Sequence, residues 1–233
     1  MINVLVIPHA GGMASTYYPL KKIEQNMFNF IFLELPGRGR RFKENLVYNM
    51  EDVVEDLFAQ IRGIITEGPY VLLGHSMGSW VAYELYYKIL SENAPVPMHI
   101  FFSSNRSPYY KPDWTIAHDT DENFIRHILQ YGQTSEDVFN KPLLRKRFLP
   151  ILRADYLVMD GYFPKEKNQK MDVNISILGG DNDMLISTGF NEWKELTNGR
   201  CDDKIFPGGH FYILSKANEV VDYMVDEMIF EIA

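Results

Sequence analysis

The chain has almost no cysteine, no long apolar run and a shortage of basic residues, and each of these absences removes a class of protein. A single cysteine, Cys201, in 233 residues excludes an internal disulfide and suits a reducing compartment. It reads as a buried or half-buried apolar side chain. No stretch of roughly 18 apolar residues and no signal-peptide pattern appear, so no membrane partner is expected and the expected location is the cytoplasm. Lys and Arg number 23 against 31 Asp and Glu, a formal charge of −8. Such a surface lacks the positive charge that nucleic acid requires, so no nucleic-acid partner is expected. An acidic partner would have to be held by a local basic or apolar patch. No Cys or His cluster has metal-ligand spacing and no dinucleotide or P-loop fingerprint occurs, so neither metal nor cofactor is expected. Internal repeats and low-complexity segments are missing as well.

What remains is an ordinary globular composition, long enough for one domain with a full core over residues 1–233. Strand-like apolar runs stand at 2–7, 28–35, 70–73, 98–104, 173–180 and 203–206. Between them, helical spacing appears at 51–66 (Val54, Leu57, Phe58, Ile61, Ile65), after 77, near 189–196 and at 216–229. The alternation predicts an α/β fold, a mostly parallel sheet with helices on both faces. From Asn105 to about Met171 the strand signal stops, and helices are expected at 122–131 and 142–156, with Pro142 in a first turn. A crossover in a parallel sheet needs only one helix. Residues 105–171 are therefore expected to form a helical insertion, placed where a lid would exclude water and shape the site. Its aromatic residues Tyr109, Tyr110, Trp114, Tyr156, Tyr162 and Phe163 either line an apolar channel or form the insertion's own core.

The most informative stretch is Pro69 to Leu90, PYVLLGHSMGSWVAYELYYKIL. An apolar strand breaks at Gly74-His75-Ser76-Met77-Gly78, and Met77, Val81, Leu85 and Ile89 then follow at helical spacing. Gly-x-Ser-x-Gly between strand and helix is a nucleophile elbow, because a serine on so sharp a turn needs neighbours without side chains. The turn lifts Ser76 above the sheet and leaves the Met77 amide unpaired at the first turn of a helix, aimed at a developing oxyanion. In the earlier loop Pro8-His9-Ala10-Gly11-Gly12, Ala10 is placed to give a second oxyanion amide, and His9 is read as structuring the loop.

A serine nucleophile needs a base, and the base needs an acid to fix its tautomer. His210 follows two glycines after the last strand, and Asp181 and Asp183 follow the fifth. The order Ser, Asp, His is that of α/β-hydrolases. Asp183 lies two residues deeper in its loop and is chosen as the acid; Asp181 is read as a turn residue. The densest positive charge, Arg38, Arg40, Arg41 and Lys43, is either a solvated loop or a contact for an acidic partner.

With these residues in place the chain resembles the type II thioesterases, stand-alone editing hydrolases of non-ribosomal peptide and polyketide synthases. The similarity lies in PHAGGMAS (8–15), ELPGRGRR (34–41), GHSMGSWVAYEL (74–85), LPILRADY (149–156), LGGDNDMLIS (178–187) and FPGGHFYIL (206–214). Met13 stands where relatives more often carry a small polar residue. The resemblance implies an α/β-hydrolase fold and an acyl or aminoacyl thioester substrate carried on the phosphopantetheine arm of a carrier protein. Residues and spacing alone imply a serine hydrolase, for which an esterase acting on small soluble esters is the alternative. A monomer is expected.

Overall fold

The structure, a computed structural model, describes residues 1–110, 115–130, 136–186 and 190–232. Six strands, β1 (Ile2–Ile7), β2 (Phe28–Phe32), β3 (Tyr70–His75), β4 (His99–Ser103), β5 (Asn174–Gly180) and β6 (Cys201–Phe206), form one sheet in the order β2-β1-β3-β4-β5-β6. Every pairing in it is parallel. The helices are α1 (Tyr18–Lys21), α2 (Met50–Ile61), α3 (Met77–Ser91), α4 (Asp121–Gln130), α5 (Glu136–Asn140), α6 (Pro142–Gly161), α7 (Phe190–Lys194), α8 (Tyr212–Ser215) and α9 (Ala217–Ile232).

Both faces of the sheet are covered, which is why its strands read as continuous apolar runs rather than alternating ones. Successive side chains of a strand point to opposite faces. In β1, Leu5 and Ile7 enter a core shared with α2 and α3, while Ile2, Val4 and Val6 enter a second core against α9. Tyr70 and Leu72 of β3 divide from Val71 and Leu73 in the same way. Helix α3 passes through the first of these cores with Trp80, Val81, Tyr83, Leu85, Tyr86 and Ile89 all buried.

The chain leaves β1 for β2 on one side and returns to β3 on the other, so the sheet order reverses between β1 and β3. The loops after these two strands therefore diverge at the carboxyl edge, the place where open α/β sheets bind ligands. Those loops are 8–13 and the Ser76 turn.

The expected elements are present with ends shifted by a few residues. β2 stops at Phe32 rather than Leu35, and β6 begins at Cys201 rather than Asp203. α6 runs five residues past Tyr156, because Val158 and Met159 continue its apolar spacing toward the main core. Between β4 and β5 stand α4, α5 and α6, with a core of their own: Ile116, Phe124, Ile128, Phe139, Leu149, Leu152 and Tyr156. The aromatic residues named for this segment do not line one channel. Tyr156 belongs to the insertion's core, Tyr162 packs on Trp80 in the main core, Phe163 is exposed, and Trp114 lies outside the described residues. Among the described residues no helix is long and apolar enough to cross a membrane.

Candidate active site

Ser76 stands between the end of β3 and the start of α3 with φ 55° and ψ −121°, a backbone conformation that side chains rarely tolerate. The surroundings hold it there: its amide donates to Ser103 O at 2.7 Å, and its carbonyl accepts from Asn105 Nδ2 at 2.8 Å. Both elbow glycines are required by close backbone approach. A Cβ on Gly74 would lie 2.2 Å from Gly78 O, and one on Gly78 would lie 2.3 Å from Ile7 O. The Ser76 hydroxyl caps nothing in α3 and stays free for chemistry. Ser79 fastens the turn: its hydroxyl proton lies within reach of the Gly74 and Ser103 carbonyls, 2.9 and 3.0 Å away, and its oxygen accepts from Ser103 N.

Asp183 and His210 meet across the β5 and β6 loops, with Oδ2 2.8 Å from Nδ1. An ionised carboxylate only accepts, so Nδ1 carries a proton, and in the neutral ring the lone pair is on Nε2. Burial alone would raise the Asp183 carboxyl, but the His210 bond, that ring's charge and the Leu185 amide outweigh it and hold the carboxyl below its ordinary value. Asp181 is exposed and accepts from the Gly208 amide and the Asn182 side chain, the bonding of a turn residue. No hydrogen bond joins Ser76 Oγ to His210. Such bonds commonly tighten only when substrate is bound.

Two more imidazoles lie beneath His210. The His75 ring is 5.2 Å from that of His210 and 5.9 Å from that of His9. Burial, followed by the His210 and Arg38 charges, lowers His9 to about 3; burial, followed by the two neighbouring histidines, lowers His75 well below its ordinary value. His9 Nδ1 meets the Tyr17 hydroxyl at 2.6 Å and His75 Nδ1 meets Ser103 Oγ at 2.8 Å. Of the three rings, only His210 faces a carboxylate.

The loop after β1 is pinned at nearly every amide. His9 N donates to Tyr17 Oη, Gly11 N to Asp155 Oδ2, Gly12 N to His9 O, and Ala14 N to Glu34 Oε1. Among the described residues the Ala10 amide has no partner, and neither has the Met77 amide at the start of α3. These are the two amides expected for an oxyanion. Met13 lines a mostly apolar cleft of about 820 Å³ together with Phe42, Leu144, Phe148 and Ile151.

The basic run is not one surface. Arg38 is wholly buried and forms a two-pronged pair with Asp155 of α6, Nη1–Oδ2 2.5 Å and Nη2–Oδ1 2.7 Å. It is therefore unavailable to a partner. Arg41 bonds Asp56 of α2, Glu44 and the Glu34 carbonyl. Arg40 and Lys43 remain exposed. The roles of Asp155, Glu34 and Tyr17 escaped sequence reasoning, since each acts through a distant or backbone contact that no local pattern marks. Cys201 is half-buried on the edge strand, and burial pushes its thiol up to about 11.

The model of the thioesterase domain matches residues 3–227. The gramicidin S biosynthesis protein GrsT of Aneurinibacillus migulanus is 29% identical over 231 residues, covering 97% of this chain and 89% of that protein. The crystal structure of ClbQ from the colibactin NRPS/PKS pathway superposes with a TM-score of 0.93 at 30% identity, covering 99% of this chain and 98% of the other. The type II thioesterase BorB from the borrelidin biosynthetic cluster gives 0.85 at 26% identity, covering 96% and 91%.

Proposed function

The chain belongs to the thioesterase family and is a hydrolase, and on that premise we propose that it is a serine thioesterase that clears acyl or aminoacyl groups from the phosphopantetheine arms of synthase carrier proteins. The observation that carries the mechanism is the Asp183–His210 pair together with a strained Ser76 and the unpartnered amides of Ala10 and Met77. Ser76 Oγ attacks the thioester carbonyl carbon and its proton passes to His210 Nε2. The carbonyl oxygen becomes an oxyanion held by the amides of Ala10 and Met77. Collapse expels the thiolate, which takes the proton from His210 and leaves as the free thiol. Water then attacks the acyl-Ser76 ester, gives a proton to His210, and the acid departs as Ser76 recovers its own. Asp183 holds the ring and stabilises the imidazolium between these transfers. His9 and His75 have no such partner and stay neutral, which favours His210 as the base.

The carrier-bound substrate is supported by the relatives, a gramicidin S biosynthesis protein and a type II thioesterase from a biosynthetic cluster among them. The insertion helices between β4 and β5 are the candidate lid. The test presents one acyl group on a loaded carrier protein and on a short thiol and follows release by mass. A kcat/KM higher on the carrier is expected. Equal values would leave a thioesterase without carrier recognition.

A further inference from the structure

We propose that Asp155, clamped by Arg38, is a positioning residue for the thioesterase reaction: from the insertion helix it sets the loop that presents the Ala10 amide, so the oxyanion site is complete only while α6 is seated. The inference rests on the reading that Ser76 attacks and that Ala10 N stabilises the oxyanion.

The direction of the Ala10 N–H is decided by the peptide it shares with His9. The carbonyl of that peptide accepts from Gly12 N at 2.8 Å. In a planar trans peptide the N–H points opposite to the C=O, so this one bond aims the Ala10 amide outward. The turn that makes the bond spans His9 to Gly12 with Gly11 at φ 75° in its third position, the pattern of a type II turn, which only a residue without a side chain enters freely. Glycine also leaves that form freely, so something outside the turn must hold it. The Gly11 amide donates to Asp155 Oδ2 at 2.6 Å. Rotation of the central peptide would break this bond and turn a carbonyl toward a carboxylate.

Helix α6 meets the turn with one face. Phe148, Leu152 and Asp155 are spaced four and three apart, the spacing that stacks side chains along a helix. A Cβ at Gly11 would lie 2.7 Å from Leu152 Cδ1 and 3.0 Å from Phe148 Cζ, so the helix rests directly on the glycine. Arg38, from the loop after β2, neutralises Asp155 with both prongs, and its Nη1 also points at Gly12 O, 3.5 Å away. Three separate segments thus meet at the turn. Both side chains of the pair are inaccessible to solvent. A buried ion pair adds little net stability over an apolar replacement, so its positioning effect is separable from its effect on folding.

That separation gives the experiment. Asp155→Asn and the double variant Arg38→Met/Asp155→Leu are compared with wild type by melting temperature, by kcat and KM on a short acyl thioester, and by inhibition with an alkyl boronic acid, whose tetrahedral serine adduct needs the oxyanion amides. Asp155→Asn is expected to melt lower and to lose about 10- to 100-fold in kcat with KM within about twofold. The double variant leaves no buried charge unpaired and should recover most of the melting temperature. Its kcat should stay down by a similar factor, with boronate inhibition weakened in proportion. Recovery of kcat together with melting temperature would overturn the proposal and leave the pair structural. If the double variant does not recover its fold, the split is read from Asp155→Asn well below its own melting point: a lost kcat with weakened boronate supports the proposal, and unchanged values refute it. Labelling of wild type by a fluorophosphonate, lost in Ser76→Ala, separates the two levels. No labelling sinks the underlying serine reading, whereas labelling with an unaffected double variant sinks this inference alone.

Discussion

The first turn of α3 sits so close to the end of β1 that one added methyl group should uncouple activity from stability. In Gly78→Ala the new Cβ would stand 2.3 Å from Ile7 O and 2.8 Å from Pro8 O. Both atoms are backbone, so no side chain can swing aside. Raising 2.3 Å to the 3.0 Å below which a Cβ does not approach its neighbours requires the helix end to retreat by about 0.7 Å. Overpacking of this kind costs about 1–3 kcal/mol, and a domain of this size loses roughly 2–4 °C of melting temperature per kcal/mol. The folded state therefore survives, melting roughly 2–12 °C lower. The same retreat draws the Met77 amide away from that of Ala10, and a misplacement near 1 Å costs on the order of 100-fold in rate. Hydrolysis of a short acyl thioester, followed by thiol release, should fall about 10- to 100-fold at a temperature where the variant is fully folded. Gly63→Ala is the control, since a Cβ there meets nothing within 4 Å, and it should change neither quantity. Wild-type rate and melting temperature in Gly78→Ala would refute the packing argument.

Asp183→Asn should lower kcat by about four orders of magnitude, as in the serine-protease precedent for a wrong histidine tautomer, whereas Asp181→Asn, whose carboxylate serves only a turn, should cost little; paired kcat measurements decide between them. Arg41→Glu should lower the melting temperature, because it breaks the bonds to Asp56, Glu44 and the Glu34 carbonyl. These groups are partly exposed and screened, so the loss is modest and should shrink as salt is added. Arg40→Glu, at an exposed side chain, should leave the melting temperature within about 1 °C of wild type. Stability should fall on acidification below pH 6.5, the ordinary histidine value. His9 and His75 are neutral when folded and take up a proton when unfolded, so the unfolded state binds more protons there and stability rises with pH. The slope is about 1.4 kcal/mol per pH unit for each histidine fully engaged, and denaturant unfolding from pH 7 to 4.5 measures it. A flat profile would show that the two rings are not held neutral.

The strand-helix alternation and the elbow were legible in the sequence because they rest on local patterns: continuous apolar runs, helical spacing and glycines at fixed offsets. In the turn after β5 the deeper carboxylate, Asp183, is the one that meets His210, while Asp181 bonds the turn itself. What the sequence hid was pairing at long range. Arg38 sits in a run of bases that looks like a solvated loop, and nothing nearby reveals that its partner is Asp155, 117 residues away. Arg41 likewise finds Asp56 on a helix that reads only as core packing. Element ends shifted where tertiary contact overrides spacing, as in α6, whose last turn is drawn toward Trp80 by Tyr162. The aromatic residues of the insertion carry no marker of which core each will join, and the structure divides them between two cores and the surface.

The central claim is that the acyl group passes through Ser76. A brief reaction with a slowly released acyl thioester, quenched in acid and digested, locates the intermediate by mass. The account predicts an acyl adduct on the peptide holding Ser76, absent in Ser76→Ala along with at least about three orders of magnitude of kcat and no change in melting temperature. An adduct on another residue, or turnover within tenfold of wild type in Ser76→Ala, would contradict it.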